Sequence, residues 1–219
     1  MDERDAIDPA VETSLRYRAK AVLRQRARAL RNSIPREAFV ERSARIVAQV
    51  AALPCVAAAR SVALFWPIEG RNEVDLTALD ARLRAQRKRV AYPSIEAEPA
   101  GDEGPGGSVR SRVMTFRFVE DPATLEERGL GFREPDPLAP EATALDVIVV
   151  PVLQVDGRGH RIGYGAGFYD RTLPRFAPPA VSVGVAFSFQ LIAEVPVTEG
   201  DVPLALVVTE DRVIEPERS

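Results

Sequence analysis

Asp146-Val147-Ile148-Val149-Val150-Pro151-Val152-Leu153 is a near-continuous apolar run rich in β-branched residues. A strand with one wet face alternates apolar and polar side chains; this run does not alternate, so it is predicted to be buried on both faces, as in a parallel sheet covered by helices. The pattern upstream agrees. Ser61 to Phe65 reads as a strand, Leu76 to Gln86 as a helix, Arg89 to Tyr92 as a strand ending at Pro93, and Met114 to Val119 as a more alternating strand. Downstream come a short helix ending near Pro174, a strand from Val181 to Phe187, a helical stretch from Phe189 to Glu194 and a strand from Leu204 to Val208. Strands separated by helices predict an α/β fold with a mainly parallel sheet.

Two helices precede this region. Leu15, Ala19, Val22, Leu23, Ala27 and Leu30 recur at helical spacing, with Thr13 or Ser14 as the cap and Asn32, Ser33 and Pro35 as the stop. A second helix runs from about Pro35 to Leu53, with Phe39, Ile46, Val47 and Val50 on one face. Residues 1–12 have no periodicity and are expected to form a frayed tail, leaving 13–219 as a single domain. Glu98 to Ser111, rich in glycine, proline and charge, is expected to be an exposed, mobile loop.

The buried strand feeds Arg161-Ile162-Gly163-Tyr164-Gly165-Ala166-Gly167-Phe168-Tyr169-Asp170-Arg171, which joins a flexible loop to a helix start. Glycines at every second position let successive N–H groups turn toward one point, and the helix N-terminus adds partial positive charge, so an anion could be held by backbone. The spacing is G-x-G-x-G with Phe168 where a dinucleotide fingerprint needs glycine, and no Gly-Lys-Ser/Thr follows. Both the Rossmann and the P-loop patterns are therefore excluded. An ordinary glycine-rich turn is the alternative. Arg161, Tyr169, Asp170 and Arg171 crowd the same few positions and favour metal-phosphate chemistry over turn-making.

At 219 residues, 46% hydrophobic and 28% charged, the chain has the composition of a globular protein with one sizeable core. A formal charge of −3 gives no global attraction to nucleic acid or anionic membrane, so any phosphate affinity must be local. Cys55 is the only cysteine, which excludes an internal disulfide and fits a reducing compartment, the cytoplasm. His160 is the only histidine, either a solvated imidazole or a catalytic one, and histidine-rich zinc sites are excluded. A monomer is expected.

The first helix carries Arg16, Arg18, Lys20, Arg24, Arg26, Arg28 and Arg31. They form either a solvated face or a phosphate grip; Lys20 and Arg24, four apart, could reach a common phosphate. Ligands in such sheets gather at the carboxyl ends of the strands, where the glycine loop would meet Trp66 to Glu73. Trp66 supplies flat apolar surface, and Glu73 an acceptor for a heterocycle N–H.

Asp156 to Arg171, with weaker support from Lys20-Ala21-Val22-Leu23-Arg24, Asn72-Glu73-Val74-Asp75 and Glu199-Gly200-Asp201-Val202-Pro203, resembles the 5-formyltetrahydrofolate cyclo-ligase family, also called methenyltetrahydrofolate synthetase. The likeness extends from about Ser14 to Glu210. It implies a three-layer α/β/α sandwich related to sugar-phosphate isomerases and CoA transferases. It also implies an ATP- and magnesium-dependent reaction that phosphorylates the formyl oxygen of 5-formyltetrahydrofolate and yields 5,10-methenyltetrahydrofolate. By that resemblance Lys20, Arg24 and Arg161 grip the nucleotide, with Ile162, Gly163, Tyr164, Gly165, Ala166, Gly167, Phe168 and Tyr169 enclosing it. Arg161 and Tyr169 serve catalysis, Trp66, Glu73, Tyr164 and Phe168 contact the folate, and Asp170 and Asp201 hold Mg²⁺. Without the resemblance Asp170 could equally satisfy backbone donors at a helix start. The chain departs from the family at Gly200, Ala205 and Ala166, which motivates an alternative, a non-catalytic folate or phosphometabolite binder of the same fold. Small molecules, not nucleic acid or membrane, are the expected partners.

Overall fold

The computed structural model describes residues 8–97 and 112–217. The expected loop from Glu98 to Ser111 and the first seven residues of the expected tail lie outside them. In chain order the elements are α1 (Pro9–Asn32), α2 (Arg36–Ala52), α3 (Pro54–Ala58), β1 (Ser61–Ala63), α4 (Thr77–Ala85), β2 (Arg89–Ala97), β3 (Arg112–Phe118), β4 (Glu126–Glu127) and β5 (Arg133–Glu134). They continue with β6 (Val147–Pro151), β7 (Gln154–Val155), β8 (Arg161–Ile162), α5 (Phe168–Thr172), β9 (Val181–Val185), β10 (Leu206–Val208) and β11 (Val213–Ile214).

Seven strands form one sheet in the order β11-β10-β9-β6-β1-β2-β3. Its centre is parallel, and antiparallel pairs close the two edges, β2 with β3 and β10 with β11. The apolar run at 147–150 is the central strand β6. Val147 and Val149 pack into a core with Ile46, Val50, Leu79 and Leu83 from α2 and α4. Ile148 and Val150 enter a second core on the other face with Leu173 and Phe176, beyond α5. Period-two side-chain alternation thus divides one apolar run between two helical layers, which is why it shows no polar face.

Three expectations need correction. The first helix begins at Pro9, not at Thr13 or Ser14: the Asp8 carboxylate accepts from the Ala10 N–H at 2.8 Å, with Pro9 in the first turn. Its first two turns are exposed all round, and of the apolar residues expected to face the core Leu15, Val22 and Leu30 are exposed as well, so the apolar pattern does not mark where the helix starts. β2 does not stop at Pro93 but runs to Ala97. The Ala91 carbonyl accepts from Leu64 N–H on the β1 side, so Pro93, two residues on, also points away from β3, past the end of β1, and its missing N–H breaks no ladder bond. The helical stretch expected at 189–194 is a single 3₁₀ turn at Ser188–Gln190.

Candidate active site

β1 and β6 are parallel neighbours, yet the chain leaves β1 toward β2 and leaves β6 toward β9 on the opposite side. This is the point where strand order reverses, and the loops after the two strands open a crevice at their carboxyl ends. The loop after β6 passes through the β7–β8 ribbon, and Leu153 N–H donates to the Ile162 carbonyl at 2.8 Å. From there Gly163 to Gly167 swing out. Gly165 is exposed at φ +105°, and Gly167, at φ +68°, is the N-cap of α5. Neither conformation suits a residue with a Cβ. Among the described residues, no backbone N–H from 163 to 167 donates a hydrogen bond to another group.

Helix α1 lies along this loop and grips it with cations. Arg24 Nε donates to the Gly163 carbonyl (3.1 Å), Arg28 to the Tyr164 carbonyl (3.3 Å), and Arg31 to the Tyr164 hydroxyl (2.6 Å). The Tyr164 hydroxyl in turn donates to Glu73 Oε1, while Glu73 Oε2 accepts from Ile68 N–H at 2.8 Å. Burial and the Glu73 charge push the Tyr164 phenol up, against the pull of Arg31. One turn nearer the start of α1, Lys20 is buried and donates to Thr198 Oγ1 (2.8 Å) and to Asp201 Oδ2. Arg161, also buried, reaches Asp170 Oδ1 at 2.7 Å and the Val202 carbonyl.

Asp170 and Asp201 are brought together through residue 202, because Val202 N–H donates to Asp170 Oδ1 at 3.2 Å. Each acid has one oxygen committed to a cation, and the other accepts no hydrogen bond among the described residues. Among those residues no group of three or more metal-ligating side chains forms a cage. Two carboxylates with a spare oxygen each suit an octahedral hard cation that takes its remaining ligands from phosphate and water. Asp170 does not cap α5, whose N-cap is Gly167.

Beside the loop is a cavity of about 560 Å³ lined by Arg36, Phe39, Trp66, Glu73, Phe132 and Arg133 among others. Trp66 meets Tyr92 edge-on at 6.0 Å, and the Tyr92 hydroxyl is anchored on Asp80 at 2.6 Å. The indole is thereby braced against the core while it lines the cavity. Glu73 is the hinge between the two regions, facing the cavity and bonded to the loop's Tyr164.

The structure thus gathers Lys20, Arg24, Arg161, Gly163, Tyr164, Gly165, Asp170 and Asp201 around the loop and sets Trp66 and Glu73 in the cavity. Other expected residues sit elsewhere. The Ile162 side chain is core, so only its backbone faces the loop. Phe168 packs on the second core with Arg171 over its ring and does not line the cavity. The Ala166 carbonyl accepts from Arg171 at 2.9 Å. The Tyr169 hydroxyl is buried without a partner among the described residues, and burial with the Glu73 charge raises its pKa far above the phenol range. His160 is neither free nor in the site: its Nδ1 lies 3.5 Å from Asp156 Oδ2. Arg28 and Arg31, which the sequence reads only as members of the basic face, also take part, and Thr198 and Phe132 are unforeseen. The spacing of Lys20, Arg24, Arg28 and Arg31, four, four and three apart on one helix face, is a signal that could have found the arginines. Phe132 lies in an irregular segment that offers none.

Fold and site together define an α/β protein with a crevice at a strand-order switch point, where a loop of unpaired amides lies next to an aromatic cavity. The chain belongs to the 5-formyltetrahydrofolate cyclo-ligase family, whose model matches residues 16–210. It is 32% identical over 195 residues to 5-formyltetrahydrofolate cyclo-ligase of Escherichia coli K12, covering 89% of this chain and 100% of that one. To the enzyme of the same name from Mycolicibacterium smegmatis it is 43% identical over 96 residues, 42% of this chain and 50% of the other. The solution structure of Aquifex aeolicus 5,10-methenyltetrahydrofolate synthetase superposes with a TM-score of 0.73 at 30% identity, over 91% of this chain and 95% of that one. A synthetase from Mycoplasma pneumoniae, 20% identical, shares the fold with a TM-score of 0.66 over 87% and 98% of the two chains.

Proposed function

We propose that this chain converts 5-formyltetrahydrofolate to 5,10-methenyltetrahydrofolate with cleavage of ATP to ADP and phosphate. The observation that carries this reading is the row of undonated amides at 163–167, met by Arg24, with Lys20 a turn away on α1 and Arg161 on the strand that leads in, and joined through Tyr164 and Glu73 to an aromatic cavity. The cradle would take the terminal phosphates and the cavity the reduced pterin. The formyl oxygen attacks the γ-phosphorus and ADP departs; N10 then attacks the activated formyl carbon and releases its proton to solvent, and phosphate leaves with the former formyl oxygen. No protein nucleophile is needed. The chain's residues position the partners and offset charge as it moves onto the bridging oxygens, with fixed amides and guanidinium groups that need no reorganisation. Arg161, held by Asp170 and the Val202 carbonyl, would face the transferring group, and the buried Tyr169 hydroxyl would take part only by turning to bound substrate. Asp170 and Asp201 would hold Mg²⁺, which when bound neutralises phosphate charge.

The cationic face of α1 is accounted for by these contacts, so nucleic acid is not required to explain it. A cytoplasmic setting fits Cys55 as the sole cysteine, and a monomer fits an α/β core with its own two apolar layers; no helix among the described residues is long and apolar enough to cross a membrane. The test is turnover: purified protein with 5-formyltetrahydrofolate, ATP and Mg²⁺ should generate the methenyl chromophore, with none when ATP is left out. Tight folate binding with no chromophore would instead establish a non-catalytic binder.

A further inference from the structure

The guanidinium of Arg31 is among the most deeply buried charges of the described residues, with 3% of its side chain exposed. It lies at the end of α1, where the loop and the cavity meet. One nitrogen donates to the Tyr164 hydroxyl at 2.6 Å, and another lies 3.9 Å from Glu73 Oε1, the atom that also accepts from that hydroxyl. Asn72, next to Glu73, donates to the Arg31 carbonyl at 3.2 Å and holds the backbone in place. Buried Arg31 Nε has no partner among the described residues. Desolvating a cation this far and leaving one donor unmet is costly, and packing alone would be better served by an apolar side chain. The arrangement therefore calls for something the charge does.

We propose that Arg31 is a positioning residue that locks Tyr164 of the glycine loop and Glu73 of the cavity into one unit, so that binding at either site orders the other. The proposal rests on the assignment of nucleotide to the loop and folate to the cavity. Its physical content is a three-membered junction: the hydroxyl of Tyr164 cannot shift with the loop without breaking its bonds to Arg31 and Glu73, and Glu73 cannot turn toward a ligand without disturbing Tyr164. Nucleotide at the amides fixes the loop, the loop fixes the phenol, and the phenol with Arg31 fixes the carboxylate that would receive the pterin. Coupling of this kind is reciprocal, and couplings between sites commonly amount to about 5- to 150-fold in affinity.

The experiment measures the Kd of a non-hydrolysable ATP analogue by calorimetry, with and without saturating 5-formyltetrahydrofolate, for the native chain, Arg31→Gln, Arg31→Lys and Tyr164→Phe. Native protein should show folate tightening nucleotide binding by roughly fivefold or more. In Arg31→Gln and Tyr164→Phe that ratio should fall to near one, and in Arg31→Gln the nucleotide Kd in the absence of folate should change much less. Arg31→Lys, a point charge that cannot fork to both partners, should restore only part of the ratio. Tyr164→Phe keeps the ring and the arginine, so it remains informative if Arg31→Gln does not fold. A native ratio of one, a ratio unchanged in both variants, or equal loss of both ligands together with a large fall in melting temperature would overturn the proposal. Turnover by the native protein is recorded in parallel: its absence defeats the functional assignment, whereas turnover with unchanged coupling in the variants defeats only the role of Arg31.

Discussion

Gly165 is open to solvent, whereas the Tyr169 hydroxyl is buried, and substitutions at the two act in opposite ways. At φ +105° Gly165 holds a backbone conformation that a branched side chain adopts only with strain, although a Cβ there would meet nothing nearer than the Arg24 guanidinium at 3.4 Å, an ordinary contact. Gly165→Val should therefore cost about 1–3 kcal/mol of local strain. Because the loop is exposed, the loop will relax while the fold stays intact: calorimetry should show ATP affinity down by about tenfold or more, with the melting temperature moved by only a few degrees. Unchanged ATP affinity would remove the amide cradle from the mechanism. Tyr169 makes the opposite kind of prediction. Its hydroxyl is buried without a partner among the described residues, so Tyr169→Phe should leave the ligand-free protein as stable or about 1 kcal/mol more stable in thermal unfolding. If the hydroxyl acts on bound substrate, kcat should fall while stability rises. No loss of kcat would make it an idle polar group.

β6 and the elements around it show how much could be read from the chain and where reading stopped. An apolar run with no alternation was sufficient to place a doubly covered central strand, because burial on both faces leaves a compositional mark. The glycine spacing likewise placed the loop that follows. What failed was punctuation: Pro93 is harmless only because β1 has already ended beside it, and the first turns of α1 are exposed on every side, their apolar Val11 and Leu15 included. Each of those facts depends on a neighbour distant in sequence. Asp146 is a further case. It precedes β6 and accepts from Arg60 N–H (2.8 Å), Ser61 N–H (2.9 Å) and the Ser61 hydroxyl (3.0 Å), so it ties the starts of β6 and β1 together. Those backbone donors hold its carboxyl below the usual carboxylate range. A depressed folded-state pKa stabilises above the unfolded value, near 4, and the contribution is lost as pH falls through the folded value. Asp146→Asn should cost roughly 1 kcal/mol at pH 7, little because the group is exposed, and should flatten part of the acid limb of a stability–pH curve below about pH 4. An identical acid limb in the variant would show that the pairing contributes nothing.

Across the whole molecule the site is assembled from parts of unequal stability. β6 is surrounded by two apolar cores, whereas α1, 24 residues long, buries only Lys20, Ala27 and Arg31 fully. Its attachment is mainly polar, through Arg16 to the Val197 carbonyl (2.7 Å), Lys20 to Thr198 and Asp201, and Arg24, Arg28 and Arg31 to the glycine loop. That explains why periodicity located the helix but not its role: its inward face reads as charged, and only the loop it meets turns that charge into a site. Segments with few buried apolar contacts open locally at free energies below that of global unfolding. Amide hydrogen exchange should therefore find α1 opening well before β6 in the ligand-free protein, and more readily at high salt, where its ion pairs are screened. ATP stabilises whatever conformation it binds, so saturating nucleotide should slow exchange in α1 and in residues 163–170 by a common factor while leaving the already protected amides of β6 unchanged. Protection of α1 equal to that of β6 without ligand would mean the helix is fixed by packing not visible in its contacts. A nucleotide effect confined to the loop would separate the basic helix from the phosphate site altogether.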